Sequence, residues 1–431
     1  MARRARFIPS QLDDVEHVEE YRPGGFHPIL VGDVFAFGRY KIVHKLGFGG
    51  SSTIWLARDQ QEGAGRPVTL KAMRADASSS EMPELVVPSL LQAAFPDSAK
   101  FFQAVEDDFI VHGPNGAHQF FVSPFTGPSV LAVSDCPGRV SGSRRLRADL
   151  ARSVAKQAAS ALHRMHSAGW VHGDFTTSNI LFRASDTVLG WSDAEVYARL
   201  GAPEIEEVRT RNGQPRGPHA PADLVASIPN AKWADASLLQ ERIVVIDFGQ
   251  SYPVAAPPAG YQPGTAINYQ SPEARFAGRA GVEADVWVLG CALFETRAGC
   301  PLFEPFLGSD ADILKQTVEM LGRLPDPWWD AFEECTRWFE EDGEPKSLAA
   351  QERAGTLIPA SKSFIRDRLR AIGTEDDPPE RDEGPMVEKC GARMGAEEVE
   401  LLGDLLERML RYGPEERIGM REVVEHPWFA V

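Results

Sequence analysis

Three short segments with the pattern of β-strands surround a cluster of glycines near the start of the chain, and this arrangement constrains the fold more than any other feature. Residues 40–46 and 52–57 flank the glycine cluster, and residues 68–73 follow shortly afterwards. Apolar and β-branched runs of this length, separated by turn residues, are typical of consecutive antiparallel strands. The sequence therefore predicts a small β-rich lobe that begins with a three-stranded meander.

The later part of the chain has a helical periodicity instead. Apolar residues recur at helical spacing between Leu146 and His166, and further helices are predicted around residues 285–298, 311–322 and 397–411. We therefore predict an α+β fold with two lobes. The small β-rich N-lobe is followed by a larger helical C-lobe.

The domain boundaries follow from changes in composition. We expect an N-terminal extension at residues 1–39 and one bilobal domain at residues 40–429, with the N-lobe ending near residue 125 and the C-lobe starting near residue 128. A Gly- and Pro-rich stretch at about 200–235 and an acidic one at 374–385 are predicted to be loops or insertions. For the first stretch, a disordered surface loop and a targeting or partner-binding element both remain open.

The charge of the chain limits its partners. The 431 residues include 62 acidic and 45 basic side chains, a formal net charge of -17, which repels nucleic acid and favours a cationic partner such as a basic peptide. The alternative is that the acidity only maintains solubility.

The sequence also limits where the protein is expected to be found in the cell and the state of its cysteines. No apolar run approaches the roughly 18 to 20 residues that span a bilayer, so we expect neither secretion nor a membrane anchor. The five cysteines have no metal-like spacing and are expected to be reduced thiols of a cytoplasmic or nuclear protein. They are Cys136, Cys291, Cys300, Cys335 and Cys390.

The glycine cluster has the composition of a phosphate-binding turn. Its sequence is Gly47-Phe48-Gly49-Gly50-Ser51-Ser52-Thr53-Ile54. Glycines allow backbone N–H groups to approach phosphates that a Cβ atom would keep away. It is neither a Walker loop, because no Gly-Lys-Ser/Thr ends it, nor a dinucleotide-binding turn, because a strand follows it. A simple hairpin turn is the alternative.

A lysine on the third strand is the next candidate. Lys71 lies among apolar residues, where a lysine is often an edge residue that extends its ammonium group to water. The alternative is an ion pair with a carboxylate on the following helix. We choose Glu84 over Glu81 for that carboxylate, although Pro83 and Pro88 predict an irregular helix and two solvated acids remain possible.

Two further motifs contain acids suited to phosphoryl transfer. The first is Val171-His172-Gly173-Asp174, with Asn179 five residues later, and the second is Ile246-Asp247-Phe248-Gly249. One acid can orient or deprotonate a hydroxyl group, while an amide and a second acid can hold Mg²⁺ against nucleotide phosphates. Each motif alone is weak, since Asp-Phe-Gly is also a common turn.

In their order along the chain, these motifs resemble those of the eukaryotic protein kinases. The resemblance covers about residues 40–429 and includes three downstream segments: the Gly-Thr to Ser-Pro-Glu segment at 264–273, Asp285-Val286-Trp287 and Pro414 to Arg417. It implies the bilobal protein-kinase fold with ATP and Mg²⁺ as cofactors. It also implies that Glu273 with Arg417, and Asp285 beneath the catalytic loop, are structural supports.

The resemblance implies specific roles for the candidate residues. Lys71 would contact the α- and β-phosphates with Glu84 steadying it, and Asp174 would receive or orient the substrate hydroxyl proton. Asn179 and Asp247 would bind the metal. The nucleotide would lie between the lobes, with a hinge near residues 123–127. The residues implied in nucleotide binding are Leu46, Gly47, Phe48, Gly49, Gly50, Ser51, Ser52, Ile54, Lys71, Asn179 and Asp247.

Finer matches resemble the serine/arginine-rich-protein kinases. They lie at residues 21–28, 32–33, 127–129, 294–296 and 302–305, outside the general catalytic motifs. This resemblance implies phosphorylation of serine in basic Arg/Ser-rich proteins, by an enzyme that we expect to be a monomer. Thr265, which follows Gly264, also matches the Ser/Thr-kinase form of the substrate loop.

Four positions depart from the family pattern, namely Ser52, Thr69, Gly173 and Thr176. Thr176 stands where a lysine is usual, and loss of that positive charge near the transferred phosphate would slow the reaction. Gly173 stands where an arginine usually pairs with a phosphate on the activation loop. Loop phosphorylation is therefore not expected to be the switch.

Two other functions compete with the protein-kinase hypothesis. Small-molecule kinases resembling the aminoglycoside and choline phosphotransferases share His-Gly-Asp-x4-Asn, but they lack the downstream segments at 264–273 and 285–287 that this chain contains. A catalytically weak or inactive nucleotide-binding scaffold of the same fold is favoured by Ser52 and Thr176. The four residues Lys71, Asp174, Asn179 and Asp247 oppose it, because a scaffold has no chemical need for all of them.

Overall fold

A computed structural model describes most of the chain. The described residues are 5–61, 65–79, 82–135, 142–233, 235–258, 260–261, 263–304, 308–378 and 384–431. The expectations that concern Glu81, Cys136 and part of the acidic stretch at 374–385 lie outside these residues.

The strands are short. They are β1 (Val34–Phe35), β2 (Tyr40–Phe48), β3 (Ser52–Asp59), β4 (Arg66–Met73), β5 (Asp107–Gly113), β6 (Gly116–Pro124), β7 (Trp170–Val171), β8 (Ile180–Ala184), β9 (Ile205–Glu207), β10 (Asp223–Val225), β11 (Leu239–Val245) and β12 (Tyr252–Pro253).

The helices occur mainly after residue 129. They are α1 (Pro83–Ala94), α2 (Val130–Ser134), α3 (Ala148–Ser167), α4 (Asp186–Leu189), α5 (Asp193–Leu200), α6 (Asn230–Trp233), α7 (Pro272–Ala277), α8 (Val282–Ala298), α9 (Asp310–Leu321), α10 (Asp326–Ala331), α11 (Leu348–Arg353), α12 (Ile365–Ala371), α13 (Ala396–Met409) and α14 (Met420–Val424). None of the helices in the described part of the chain is both long enough and apolar enough to cross a bilayer.

The chain divides into two compact units. Unit 1 contains residues up to 90 together with 102–128 and 182–240, and unit 2 contains residues 91–101, 129–181 and 241–431. Unit 1 is rich in β-structure and unit 2 is mostly helical. The predicted α+β fold, with a smaller β-rich and a larger helical part, is confirmed.

A six-stranded antiparallel sheet forms the centre of unit 1, in the order β1-β2-β3-β4-β6-β5. The predicted meander corresponds to β2, β3 and β4. The apolar face of the sheet forms a core whose largest members are Tyr40, Trp55 and Phe120. Strands β5 and β6 were not predicted, although each contains a run of three apolar residues.

The predicted N-terminal extension and the predicted insertion both contribute to unit 1. Phe7, Tyr21 and Phe26 pack with Val208 and Leu224 in a second apolar cluster. Strands β9 and β10 of the Gly- and Pro-rich stretch pair antiparallel to each other. The stretch therefore has ordered structure where a disordered loop was one expectation, because its few apolar residues are buried against the N-terminal segment.

Unit 2 is organised around α8. This helix is buried on all sides from Ala284 to Ala298, and it packs against α3 and α13. The helices predicted around residues 146–166, 285–298, 311–322 and 397–411 correspond to α3, α8, α9 and α13, with boundaries shifted by a few residues.

A buried ion pair links distant parts of unit 2. The guanidinium group of Arg417 donates two hydrogen bonds to Glu273, of 2.6 and 2.7 Å, and a third of 2.8 Å to the carbonyl oxygen of Glu283. The structure thus contains the ion pair that the sequence indicated. Both side chains are almost fully buried, at 1% and 9% exposure.

We predict that Arg417→Met destabilises the protein by about 3–5 kcal/mol, because it leaves the Glu273 carboxylate buried without its cation. Urea-induced unfolding measures this change. Arg421→Met is the matched control, since Arg421 pairs with Glu425 on the surface and its loss should cost less than about 0.5 kcal/mol. Equal losses in the two variants would contradict the prediction.

Candidate active site

Lys71 and Glu84 form an ion pair within unit 1. Lys71 lies on β4 between Ile54 of β3 and Phe121 of β6, and its Nζ atom is 3.1 Å from Oε1 of Glu84. Helix α1 begins at Pro83, where proline is tolerated, so Glu84 falls in its first turn. Both side chains are mostly buried, so Lys71 is held in place by a charge-assisted hydrogen bond.

The glycine cluster forms the tight connection between β2 and β3. The N–H of Gly49 donates to the carbonyl of Ser52 over 2.9 Å. A Cβ atom at Gly47, Gly49 or Gly50 would meet no protein atom within 4 Å, and none of the three has a positive φ. Neither the backbone conformation nor the packing of the protein requires glycine at these positions. Open space without a Cβ atom suits a loop whose backbone N–H groups are approached by a phosphate.

The apolar residues expected beside the adenine lie next to this loop. Leu46 and Ile54 are only half-buried within β2 and β3. They can therefore offer apolar surface to a ligand.

In unit 2, Asp285 holds the backbone of the catalytic loop. Its carboxylate accepts hydrogen bonds from the N–H groups of His172, at 2.8 Å, and Gly173, at 2.9 Å. It also contacts Nε2 of His166 at 2.9 Å. Asp285 is buried in the first turn of α8. The geometry of the residues around Asp174 thus depends on the most buried helix of the unit.

Asp174 and Asn179 lie within hydrogen-bonding distance. The amide of Asn179 donates to both the carboxylate and the backbone carbonyl of Asp174, each over 2.8 Å. A short 3₁₀ turn at Thr177–Asn179 produces this arrangement. With the amide nitrogen directed at Asp174, the amide oxygen of Asn179 remains to face another ligand.

Asp247 is joined to this loop through its neighbour. The N–H of Ile246 donates to the carbonyl of Asn179 over 3.0 Å, and Asp247 itself has a positive φ of 62°. That conformation is rare for a residue other than glycine and often marks a functional site. Amide and carboxylate oxygens are the ligands that Mg²⁺ prefers, so Asn179 and Asp247 fit the expected metal.

The protein environment of Asp174 raises the pKa of its carboxyl group. Burial is the main cause, and the nearby Asp247 adds to it. Interactions with His172, Asn179 and Thr265 act in the opposite direction. A carboxylate of raised basicity is better suited to receive a proton from a substrate hydroxyl.

Gly173 brings the stretch at residues 247–273, which the resemblance implies is the activation segment, directly against the catalytic loop around Asp174. It has a φ of 82°, and an added Cβ would lie 2.6 Å from the carbonyl oxygen of Gln250. Its own carbonyl accepts a hydrogen bond of 2.7 Å from the hydroxyl of Thr265. The hydroxyl of Ser251 donates to the next carbonyl, that of His172, over 3.0 Å. These hydrogen bonds connect the segment to the backbone of His172 and Gly173.

Thr176 does not supply the missing charge. Its side chain is buried, at 4% exposure, and its backbone N–H donates to the carbonyl of Asp174. The residue therefore contributes to the shape of the loop.

A buried network behind the loop was not predicted from the sequence. The hydroxyl of Thr177 lies 2.8 Å from that of Tyr269 and 2.6 Å from the carboxylate of Glu295, which Tyr269 also contacts. Burial raises the pKa of Glu295 to about 7, although the bond from Thr177 opposes this. A carboxylate in the apolar sequence of α8 was the only available signal.

We predict that Thr265→Val shifts the acid limb of the kcat/KM profile to higher pH. If Asp174 receives the substrate proton, as the resemblance implies, it must be ionised, so activity would be lost as the pH falls through its pKa. Removing the Thr265 hydroxyl removes an interaction that lowers this pKa. Thr265→Ser retains the hydroxyl and should keep the wild-type profile, whereas an unmoved acid limb in Thr265→Val would refute the assignment.

We also predict that Gly173→Ala lowers kcat on the order of 10- to 100-fold, because its Cβ displaces the activation segment from the catalytic loop. Gly169→Ala is the matched control. Gly169 has a similar φ of 79°, but a Cβ there meets no atom within 4 Å. Steady-state kinetics should therefore show a large loss only for Gly173→Ala. Equal losses would mean that backbone strain alone is responsible.

Comparison with known proteins is consistent with this geometry. The family model for the protein kinase domain matches residues 236–429. The chain is 27% identical to the serine/threonine-protein kinase SRPK of Physarum polycephalum, over 96% of this chain and 91% of that protein. It is 29% identical to the protein kinase dsk1 of Schizosaccharomyces pombe and 30% identical to human SRSF protein kinase 3. These two matches each cover 46% of this chain, but only 36% and 35% of the respective relatives.

Proposed function

We propose that this chain, a serine/threonine protein kinase with relatives of the SRPK type, transfers the γ-phosphate of ATP to serine in basic Arg/Ser-rich proteins. The catalytic domain would extend over residues 40–429, with residues 1–39 as its extension and about 200–235 as its insertion. We further propose that it acts as a monomer in the cytoplasm or nucleus, without direct binding to nucleic acid.

The observation that carries the proposal is that the candidate residues lie in contact within each unit. Lys71 is oriented by Glu84 in unit 1, and Asp174 is hydrogen-bonded to Asn179 in unit 2. Lys71 would bind the α- and β-phosphates of ATP, and Asn179 and Asp247 would hold Mg²⁺ through their oxygen atoms. Bound Mg²⁺ supplies positive charge that stabilises the phosphates during transfer.

Asp174 would perform the proton chemistry. Its raised pKa suits it to accept the proton of the serine hydroxyl as the oxygen attacks the γ-phosphorus atom and the bond from that atom to the β,γ-bridging oxygen breaks, which releases ADP. The amide of Asn179 fixes the carboxylate orientation. The contacts of Gly173 with Thr265 support a form that is ordered without activation-loop phosphorylation.

The substrate class is supported by charge and by the relatives. A net charge of -17 attracts a substrate rich in arginine. The human relative is named for its action on SRSF proteins. Arginine-rich peptides are therefore the natural first substrates to test.

We predict Mg²⁺-dependent transfer of ³²P from labelled ATP to an Arg-Ser repeat peptide, with much weaker transfer to an acidic serine peptide. Asp174→Asn should lower the rate by about 10²- to 10⁴-fold, because the general base is lost. Asp330→Asn, an isosteric change at an exposed aspartate, should retain wild-type activity. ATP binding without transfer to either peptide would instead favour the scaffold alternative.

A further inference from the structure

A fully buried lysine lies immediately before the glycine cluster, and the proposed chemistry does not use it. Lys45 occupies β2 next to Leu46 and has 0% exposure. Its ammonium group contacts the carboxylate of Glu16, which is itself 3% exposed. It also donates a hydrogen bond of 3.1 Å to the carbonyl of Val225.

Three distant segments of unit 1 meet at this ammonium group. Glu16 comes from the N-terminal extension, and Val225 comes from β10 of the insertion. The same segments are joined nearby by further hydrogen bonds. The N–H of Ile228 donates to the backbone carbonyl of Lys45 over 3.1 Å. The hydroxyl of Ser227 donates to the backbone carbonyl of Asp14 over 3.0 Å.

Lys45 also lies close to the proposed phosphate-binding turn. Its Nζ atom lies 5.3 Å from the ring centroid of Phe48 and 5.7 Å from that of Trp55. Phe48 belongs to the glycine cluster and is 42% exposed, whereas Trp55 lies in the sheet core. The pairing of β2 with β3 is irregular between Lys45 and Gly47. The regular pairing of the two strands is thus interrupted at Lys45, the residue that the ion pair with Glu16 holds in place.

Stability alone does not account for a buried ion pair here. Taking two charges out of water is costly, and apolar residues of similar volume are often as stable or more stable. Burial lowers the pKa of Lys45 to about 7, so the nearby carboxylate is needed to favour its charged form. A directional contact between three segments can fix one geometry, which apolar packing does less well.

We propose that Lys45 and Glu16 are positioning residues for ATP, which hold the base of the glycine-rich turn Gly47–Ile54 in its phosphate-binding orientation. The N-terminal extension and the insertion are then parts of the nucleotide-binding apparatus. The inference rests on the proposed function only in that this turn binds ATP.

The test measures ATP binding directly by isothermal titration calorimetry, beside KM for ATP, KM for the peptide and kcat. Three variants are compared with the wild type: Glu16→Gln, Lys45→Met and the double variant. Each should raise Kd and KM for ATP about tenfold, because the turn is no longer held in place. Peptide KM and kcat at saturating ATP should change less than about twofold, since Asp174 and its partners are untouched.

The double variant separates positioning from stability. It removes both buried charges, so its thermal unfolding temperature should recover towards the wild-type value even if a single variant fails to fold. Weak ATP binding in a stable double variant would support the inference. ATP affinity that recovers together with stability would overturn it.

A matched control and the wild type complete the design. Glu106→Gln breaks an ion pair with Arg66 on the surface of the same unit, outside both the extension and the insertion, and should leave ATP affinity unchanged. Wild-type protein that binds ATP without transferring phosphate would overturn only the proposed function. Wild-type protein that binds no ATP would overturn both.

Discussion

The carboxylate of Asp285 is the contact on which the candidate active site depends. It accepts two backbone N–H groups of the catalytic loop while it lies in the most buried helix of unit 2. A loop has few regular hydrogen bonds of its own, so its conformation must be imposed from outside. Because α8 is packed on all sides, it provides a rigid support. Through Asp285 it also restricts the position of Asp174, which follows Gly173 directly.

The replacement of arginine by Gly173 has a structural counterpart in the activation segment. The lack of a side chain and the positive φ leave room for the carbonyl of Gln250, and Thr265 hydrogen-bonds to the carbonyl of Gly173. In kinases that use an arginine here, a phosphate on the loop supplies an equivalent link. In this chain, neutral hydrogen bonds from Thr265 and Ser251 connect the two segments.

Buried carboxylates recur behind the functional loops of both units. Glu16 pairs with Lys45 at the glycine-rich turn, and Glu295 contacts Thr177 and Tyr269 behind the catalytic loop. Each group is costly to bury, and each is satisfied by partners from segments far apart in sequence. Such buried contacts hold an irregular loop in one conformation. We therefore expect them behind loops that bind a substrate.

The sequence by itself determined several of the elements and indicated the candidate chemistry. Apolar and β-branched runs between turn residues predicted β2 to β4, and helical spacing predicted α3 and α8. The motifs indicated Lys71 with Glu84 as an ion pair, and Asp174, Asn179 and Asp247 as residues of a phosphoryl-transfer site. The predictions of elements succeed because periodicity is a local property. Only the tertiary structure showed that the insertion packs on the N-terminal segment, that Lys45 is buried against Glu16, and that Thr177, Tyr269 and Glu295 form one network. Those contacts join residues that are distant along the chain, and a single sequence contains no local signal for which distant residues will meet.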